Sequence, residues 1–174
     1  MAGKDNEDFD MPAPIYVVSG GPGLSGVQMV ETVLVQFPDV PVPIIKIPHV
    51  RKKKQIEDLL VKMSTTGGII VHTMVDDSLR KTLLDLAKEH NLKAIDLMGP
   101  LMDHLSETLN QKPAGKPGLY RRLHKDYFER VDAITFTVNH DDGINLKDLK
   151  LADIVLTGVS RCGKTPLSIY LSVL

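Results

Sequence analysis

The chain has 174 residues, 43% hydrophobic and 25% charged, and is long enough to bury the core of a globular domain. Its 21 basic and 22 acidic residues nearly cancel, which argues against a nucleic-acid surface. A single cysteine excludes an internal disulfide framework and predicts a reducing compartment, either the cytoplasm or a plastid-like stroma. No apolar run approaches the roughly 18 residues that a membrane helix requires, so we expect a soluble protein.

The first part of the chain has the pattern of an α/β domain. Residues 1–14 are acidic and polar without the features of a targeting signal, and they are predicted to form a flexible tail. From Ile15 onward, short β-branched runs alternate with helical patterns, which is typical of a parallel sheet flanked by helices. We predict a Rossmann-like N-terminal domain over 15–110, with strands at 15–19, 42–47, 67–74 and 93–97 and helices near 26–37, 53–63, 76–87 and 101–109.

The second part begins after a Pro- and Gly-rich linker, 111–118, and contains a connecting helical segment over 119–150. Tyr127, Val131, Ile134 and Val138 are spaced four, three and four residues apart, which favours a helix although AITFTV also resembles a strand. The sequence ADIVLTG, 152–158, is then predicted to be a strand. It leads into a glycine-rich loop, so residues 151–174 are interpreted as the start of a P-loop nucleotide-binding domain.

The glycine-rich loop carries the clearest chemical signal in the sequence. Gly158, Gly163, Lys164 and Thr165 fit the pattern G-x-x-x-x-G-K-[ST], in which backbone N–H groups surround phosphate oxygens. Lys164 would reach the terminal phosphates, Arg161 would add a second cation, and the Thr165 hydroxyl would hold Mg²⁺. A chance match in a turn between a strand and a helix is the alternative. The predicted phosphate-binding residues are Gly158, Val159, Ser160, Arg161, Cys162, Gly163, Lys164 and Thr165.

Two separate blocks of the sequence resemble one known family. The segment ADIVLTGVSRCGKTPLSIYL is similar to the phosphate loop of the regulatory proteins of pyruvate, phosphate dikinase and phosphoenolpyruvate synthase, whose pattern is G-V-S-R-x-x-K-T-P. The segment PGLYRRLHKDYFERVDAITFTVNHDDG resembles that family's P-G-x-x-H, Y-F-x-R, A-I-x-F and H-D-D-G motifs. A weaker likeness extends from Ile15 to Leu174.

The resemblance implies a bifunctional enzyme. Such a protein uses ADP to phosphorylate a threonine beside the phosphohistidine of the dikinase or synthase, which inactivates the target. In the reverse reaction, inorganic phosphate attacks the phosphothreonine and pyrophosphate is released. The expected ligands are therefore ADP, inorganic phosphate and Mg²⁺, the expected partner is one of these two enzymes, and a homodimer is compatible with the family.

The resemblance also assigns roles to the HDDG segment. Asp141 and Asp142 would supply a base or a metal ligand, and His140 is a lesser candidate for proton transfer or orientation. Together with Lys164 and Arg161 they complete the predicted catalytic set. From the residues alone, a solvated turn that ends a helix and is closed by Gly143 is the preferred interpretation.

The sequence departs from the family pattern in three places. Cys162 and Gly163 replace Thr-Ser in the loop, and SGGPGLSG replaces S-D-x-T-G-x-T-A after the first strand. Ser19, Gly20, Gly21 and Ser25 there suit either a neutral anion nest or, preferably, a structural turn. Relatives continue for about a domain's length beyond the loop, so the chain is interpreted as truncated. The alternatives are therefore an inactive nucleotide-binding module and a conventional ATP-dependent kinase of small molecules.

Some remaining charges have a less specific interpretation. The run Arg51–Gln55 would contact phosphate or an acidic partner, but a solvated first turn of a helix is the preferred interpretation. Arg121 and Arg122 are treated as surface charges, and His124 gains interest only from the family resemblance.

Overall fold

The computed structural model of the chain describes residues 12–174, so residues 1–11 of the predicted tail lie outside the described residues. The chain divides into two compact units. The first ends at Gly118, and the second spans Leu119–Leu174.

Four short strands form a parallel sheet in the first unit. They are β1 (Ile15–Val18), β2 (Ile44–Ile47), β3 (Ile69–His72) and β4 (Lys93–Asp96). The order across the sheet is β2-β1-β3-β4, and Ile15 of β1 lies opposite Ile44 on one side and Ile69 on the other. The central strands, IYVV and IIVH, are rich in the β-branched residues that pack well on a pleated surface. The predicted α/β class with a Rossmann-like parallel sheet is confirmed.

Helices connect these strands, as the hydrophobic periodicity predicts. They are α1 (Leu24–Leu34), α2 (Lys53–Thr66), α3 (Asp77–Glu89) and α4 (Gly99–Leu109). Asp76 caps α3, because its carboxylate accepts a hydrogen bond from the Leu79 N–H at 2.9 Å. Helix α3 also has an acidic residue, Asp77, in its first turn, whereas α2 has none.

Alternating residues of the sheet build a core on each of its faces. Tyr16, Val18 and Ile70 pack with buried residues of α2 and α3 such as Leu60 and Leu83. Val17 and Val71 point to the opposite face, where Val30 of α1 covers them. Helices therefore cover both faces, which leaves the carboxyl ends of the strands as the place where loops and polar residues meet.

The second unit is helical in the described chain. It contains α5 (Leu119–Leu123), α6 (Lys125–Asn139), two 3₁₀ helices at Asp141–Gly143 and Leu146–Leu151, and α7 (Lys164–Val173). The predicted helix over the AITFTV segment is confirmed by α6. Helix α6 packs against α7, and this contact brings the HDDG segment beside the glycine-rich loop.

The predicted strand at 152–158 is wrong. In the structure these residues form an irregular segment between the second 3₁₀ helix and the loop. A strand is stabilised by hydrogen bonds to a neighbouring strand, and residues 119–174 contain no strand that could supply them. Ile154 and Val155 are accordingly 63% and 50% exposed, whereas the paired residues Val17 and Val18 are fully buried.

Candidate functional site

The glycine-rich loop at 158–163 is a compact turn at the N-terminus of α7. Arg161 (φ 61°) and Gly163 (φ 83°) both have left-handed backbone conformations, which bend the chain back on itself before the helix begins. Gly163 is the N-cap of α7 and provides no side chain to cap it. Glycine at position 163 adopts the left-handed conformation at the end of the loop without steric cost.

This turn leaves backbone donors unpaired. The first hydrogen bond of α7 runs from the Leu167 N–H to the Gly163 carbonyl at 3.2 Å. Within residues 12–174, no backbone N–H between Val159 and Thr165 makes a short, well-aligned hydrogen bond to another group of the chain. The aligned peptide dipoles add the equivalent of about half a positive charge at this end of the helix. The turn can therefore accept an anion such as a phosphate group.

Lys164 lies across the same turn. Its Nζ donates hydrogen bonds to the carbonyl oxygens of Gly158 at 3.0 Å and Val159 at 2.7 Å, and it is 3.8 Å from the Cys162 Sγ. The ammonium group is thus held next to the free N–H groups. A lysine in this position adds a positive charge to the site.

Thr165 joins the loop to the HDDG segment. Its hydroxyl donates to the Asp141 carboxylate, with 2.9 Å between Thr165 Oγ1 and Asp141 Oδ1. The two residues are 24 positions apart, and the packing of α6 against α7 brings them together. A hydroxyl and a carboxylate oxygen side by side are the kind of ligands that Mg²⁺ prefers in nucleotide sites. The residues present therefore fit the metal that the sequence suggests.

His140 and Asp142 lie on either side of Asp141 in the sequence but differ in their contacts and exposure. His140 stacks on Phe136 with 3.9 Å between ring centroids, and its Nδ1 is 2.7 Å from the Phe136 carbonyl oxygen. The His140 Nε2 is buried and has no partner in the described chain. Asp142 has a left-handed backbone (φ 51°) and is exposed. The structure thus brings Asp141, and not Asp142, into contact with the loop.

The remaining predicted loop residues face solvent. Ser160, Arg161 and Cys162 are exposed, and among the described residues Ser160 and Arg161 make no side-chain hydrogen bond. Arg121, which the sequence suggested as a surface charge, pairs with Asp132 and lies over the Phe128 ring at 4.9 Å. Ser19 lies in the first unit, where its Oγ accepts from the Gly21 N–H at 3.2 Å.

Sequence reasoning missed a polar cluster at the carboxyl ends of β3 and β4. His72 is fully buried with neither ring nitrogen hydrogen-bonded in the described chain, and its Nδ1 lies 3.8 Å from Asp96. The Arg80 Nη2 donates to both oxygens of Asp103 at 3.0 Å. Burial lowers the pKa of His72; the Asp96 carboxylate opposes this shift, and the Arg80 guanidinium adds to it.

The charged side chains around Arg80 also shift one another's pKa values. The hydrogen bond to Asp103 is the main reason that the pKa of Arg80 is raised. The hydrogen bond from Lys81 is the main reason that the pKa of Asp77 is lowered. The cluster combines residues from two strands and two helices, and none of them belongs to a recognisable motif.

Comparison with known proteins identifies the family. Residues 15–174 match the family described as Kinase/pyrophosphorylase. The chain belongs to this kinase/pyrophosphorylase family. The predicted family resemblance is therefore confirmed.

Kinase/pyrophosphorylase relatives named as pyruvate, phosphate dikinase regulatory proteins match most of the chain. Identity is 48% over 161 residues to a protein of Chloroflexus aurantiacus, 42% over 160 residues to one of Desulfotalea psychrophila and 39% over 158 residues to one of Geobacter sulfurreducens. These alignments cover 92%, 92% and 91% of this chain but 58%, 56% and 59% of the relatives. The chain therefore spans less than two thirds of their length.

Two further features concern membranes and metals. No helix within the described residues is both long enough and apolar enough to cross a membrane. The described chain also contains no group of three or more His, Cys, Asp or Glu side chains arranged to hold a metal ion. The oxygen pair of Asp141 and Thr165 would therefore require ligands from a bound phosphate to complete a Mg²⁺ site.

Proposed function

We propose that the chain carries the nucleotide site of an ADP-dependent protein serine/threonine kinase that inactivates pyruvate, phosphate dikinase or phosphoenolpyruvate synthase. The contact between Thr165 and Asp141 at the head of α7 is the observation that carries this proposal. It places two oxygen ligands beside a loop whose N–H groups are free. The family description, which joins a kinase to a pyrophosphorylase, and the names of the relatives support the reaction and the target.

In the kinase direction, the loop N–H groups and Lys164 bind the phosphates of ADP, and Arg161 adds charge from the exposed side of the loop. Asp141 and Thr165 would hold Mg²⁺, which would neutralise charge on the phosphate oxygens when bound. The bond between the β-phosphorus and the bridging oxygen breaks, AMP leaves, and the threonine oxygen of the target bonds to phosphorus. We assign the threonine proton to the Asp142 carboxylate, which is exposed and free of the Thr165 contact.

The same groups serve the reverse direction. Inorganic phosphate takes a position on the loop N–H groups, and one of its oxygens attacks the phosphothreonine. The bond from phosphorus to the threonine oxygen breaks, pyrophosphate leaves, and Asp142 returns a proton to the threonine hydroxyl. Both directions need the same neutralisation of phosphate charge, which explains why one loop can support them.

The test is phosphate transfer from ADP labelled in its β-phosphate to a threonine of dikinase whose histidine is phosphorylated, with labelled ATP in parallel. We expect labelling from ADP that is lost in Lys164→Ala, because the variant lacks the positive charge of the Lys164 ammonium at the proposed phosphate site. The matched control is Lys147→Ala, which removes an exposed lysine from the same unit.

Each other outcome favours a different function. Transfer from ATP alone, to a small molecule and not to dikinase, would indicate a conventional P-loop kinase. Lys164-dependent binding of ADP by folded protein without any transfer would indicate a nucleotide-binding module. Absence of both binding and transfer would contradict the proposal.

A further inference from the structure

Five basic side chains lie together at one end of the sheet in the first unit. Lys46 lies in β2, Arg51 and Lys52 directly precede α2, and Lys53 and Lys54 begin it; all five are exposed, and we call them the basic edge. The sequence alone favours an ordinary solvated helix turn here. The structure adds three observations about how these residues are held and what surrounds them.

The backbone that carries the basic edge is fixed to the loop after β1. The Ser19 N–H donates to the Ile47 carbonyl at 3.1 Å, and the Val50 N–H donates to the Ser19 carbonyl at 3.0 Å. Val50 is 2% exposed and anchors the segment in the core. The Arg51 Nε donates to the Gly20 carbonyl at 3.1 Å. The cations are therefore displayed on a rigid frame and not on a loose loop.

The start of α1 lies at the same edge. The stem of Lys46 passes 3.4 Å from the position that a Cβ on Gly23 would occupy, and Gly23 is the N-cap of α1. No side chain caps this helix, and its first turn contains no acidic residue. The positive ends of α1 and α2 therefore add to the charge of the five side chains.

The placement of these lysines is unfavourable for α2 itself. Acidic residues stabilise the first turn of a helix, whereas Lys52–Lys54 oppose the helix dipole. Within the described chain, only Lys53 of the five forms an ion pair, with Glu57 at 3.7 Å on the exposed surface. The Gln55 side chain accepts from the N–H groups of Arg51 and Lys52, so a neutral group occupies the place of an acidic cap. An anion from outside the chain would offset this unfavourable arrangement.

We propose that the basic edge is a docking surface for an acidic segment of a partner protein. Residues 12–118 of the first unit contain 12 basic and 11 acidic residues, and with these five set aside the rest has 7 basic and 11 acidic. A long polyanion such as nucleic acid would meet repulsion beyond the edge, whereas a short acidic segment matches one helical turn and Lys46. The partner is recognised outside the phosphate loop, so this binding does not depend on the proposed phosphotransfer.

The experiment measures binding of fluorescein-labelled octaglutamate by fluorescence anisotropy at low salt, without nucleotide. One variant carries Lys52→Glu, Lys53→Glu and Lys54→Glu together. The control carries Lys62→Glu, Lys88→Glu and Lys112→Glu, three exposed lysines elsewhere in the first unit, and has the same net charge. We expect the dissociation constant to rise about tenfold or more in the basic-edge variant and to change less than about threefold in the control.

Thermal unfolding of each variant separates docking from folding. Glutamate at the start of α2 suits the helix dipole, so the basic-edge variant should lose binding without a lower melting temperature. Equal loss of binding in both variants would overturn the proposal, because net charge alone would then explain it. Absence of octaglutamate binding by the natural sequence would also overturn it. Tighter, basic-edge-dependent binding of an oligonucleotide with the same number of charges would assign the surface to nucleic acid instead.

Discussion

At the scale of single residues, two adjacent aspartates differ in whether they contact the glycine-rich loop. Asp141 Oδ1 lies 2.9 Å from the Thr165 hydroxyl, whereas Asp142 has a left-handed backbone and an exposed side chain. Two neighbours in the sequence thus make different contacts. The proposed roles, Asp141 as a metal ligand and Asp142 as the proton acceptor, rest on this difference.

The two aspartates should therefore respond differently to the loss of a carboxylate. We expect Asp141→Asn to raise the Mg²⁺ concentration for half-maximal activity about tenfold or more, since an amide is a weaker ligand for the ion. Asp142→Asn should lower kcat about a hundredfold or more with an unchanged Mg²⁺ requirement. Initial rates measured across a Mg²⁺ titration distinguish the two effects, and each variant is the control for the other. An exchange of the two phenotypes would refute the assignment.

At the scale of secondary-structure elements, the polar cluster connects β3, β4, α3 and α4. Arg80 of α3 binds Asp103 of α4, and the Asp96 carboxylate accepts from the Gly99 N–H at the start of α4 at 2.7 Å. A Cβ on Gly99 would collide with Asp96 and Arg80, so glycine is required for this close approach. His72 lies beneath these groups, fully buried and without a hydrogen bond in the described chain.

The buried His72 makes the stability of the first unit depend on pH. Its pKa is lowered in the folded protein, so between that value and the ordinary one near 6.5 the unfolded chain binds a proton that the folded chain does not. The free energy of unfolding should therefore decrease as pH falls from about 7.5 to about 5.5, by at most about 1.4 kcal/mol per pH unit from this residue.

Urea denaturation followed by circular dichroism at several pH values measures this slope. His72→Gln should reduce it, since the variant has no group that titrates at this position. The control, His104→Gln, changes an exposed histidine on α4 and should leave the slope in place. An unchanged slope in His72→Gln would show that other groups cause the pH dependence.

The elements also show what the sequence can and cannot predict. The helices and the paired strands follow from hydrophobic periodicity, which local spacing reveals directly. The strand expected at 152–158 was wrong because strand formation depends on a neighbouring strand, and the apolar run Ile154–Leu156 carries no information about one. Strand propensity alone therefore could not show whether residues 152–158 form a strand.

In the candidate site, too, the sequence predicts the local structure but not the contacts that depend on packing. The glycine-rich loop was found from the spacing of four residues, since the turn and the helix after it are local structures. The contact from Thr165 to Asp141 depends on the packing of α6 against α7, and sequence could suggest the residues but not choose between Asp141 and Asp142. The His72 cluster was missed because four elements contribute to it and no motif marks any member.

At the scale of the whole molecule, burial is distributed unevenly between the two units. The buried hydrophobic residues of the described chain all lie between Tyr16 and Ala87 in the first unit. No residue of the described second unit reaches the same degree of burial, and Tyr120, Leu123, Tyr127 and Leu151 are each more than 60% exposed. The described helices of the second unit, which carry the glycine-rich loop, thus have little core of their own.

This distribution predicts two levels of local stability. Amide hydrogens exchange through local opening, and the opening free energy rises with the apolar contacts that must be broken. Hydrogen–deuterium exchange followed by mass spectrometry should therefore show strong protection in β1 and β3 and much faster exchange in α6 and α7, by about a hundredfold or more. ADP should slow exchange at the start of α7 in the natural sequence and not in Lys164→Ala, since bound ligand stabilises the site that holds it. Equal protection of β1 and α7 without ADP would contradict this view, because the second unit would then be as stable as the sheet.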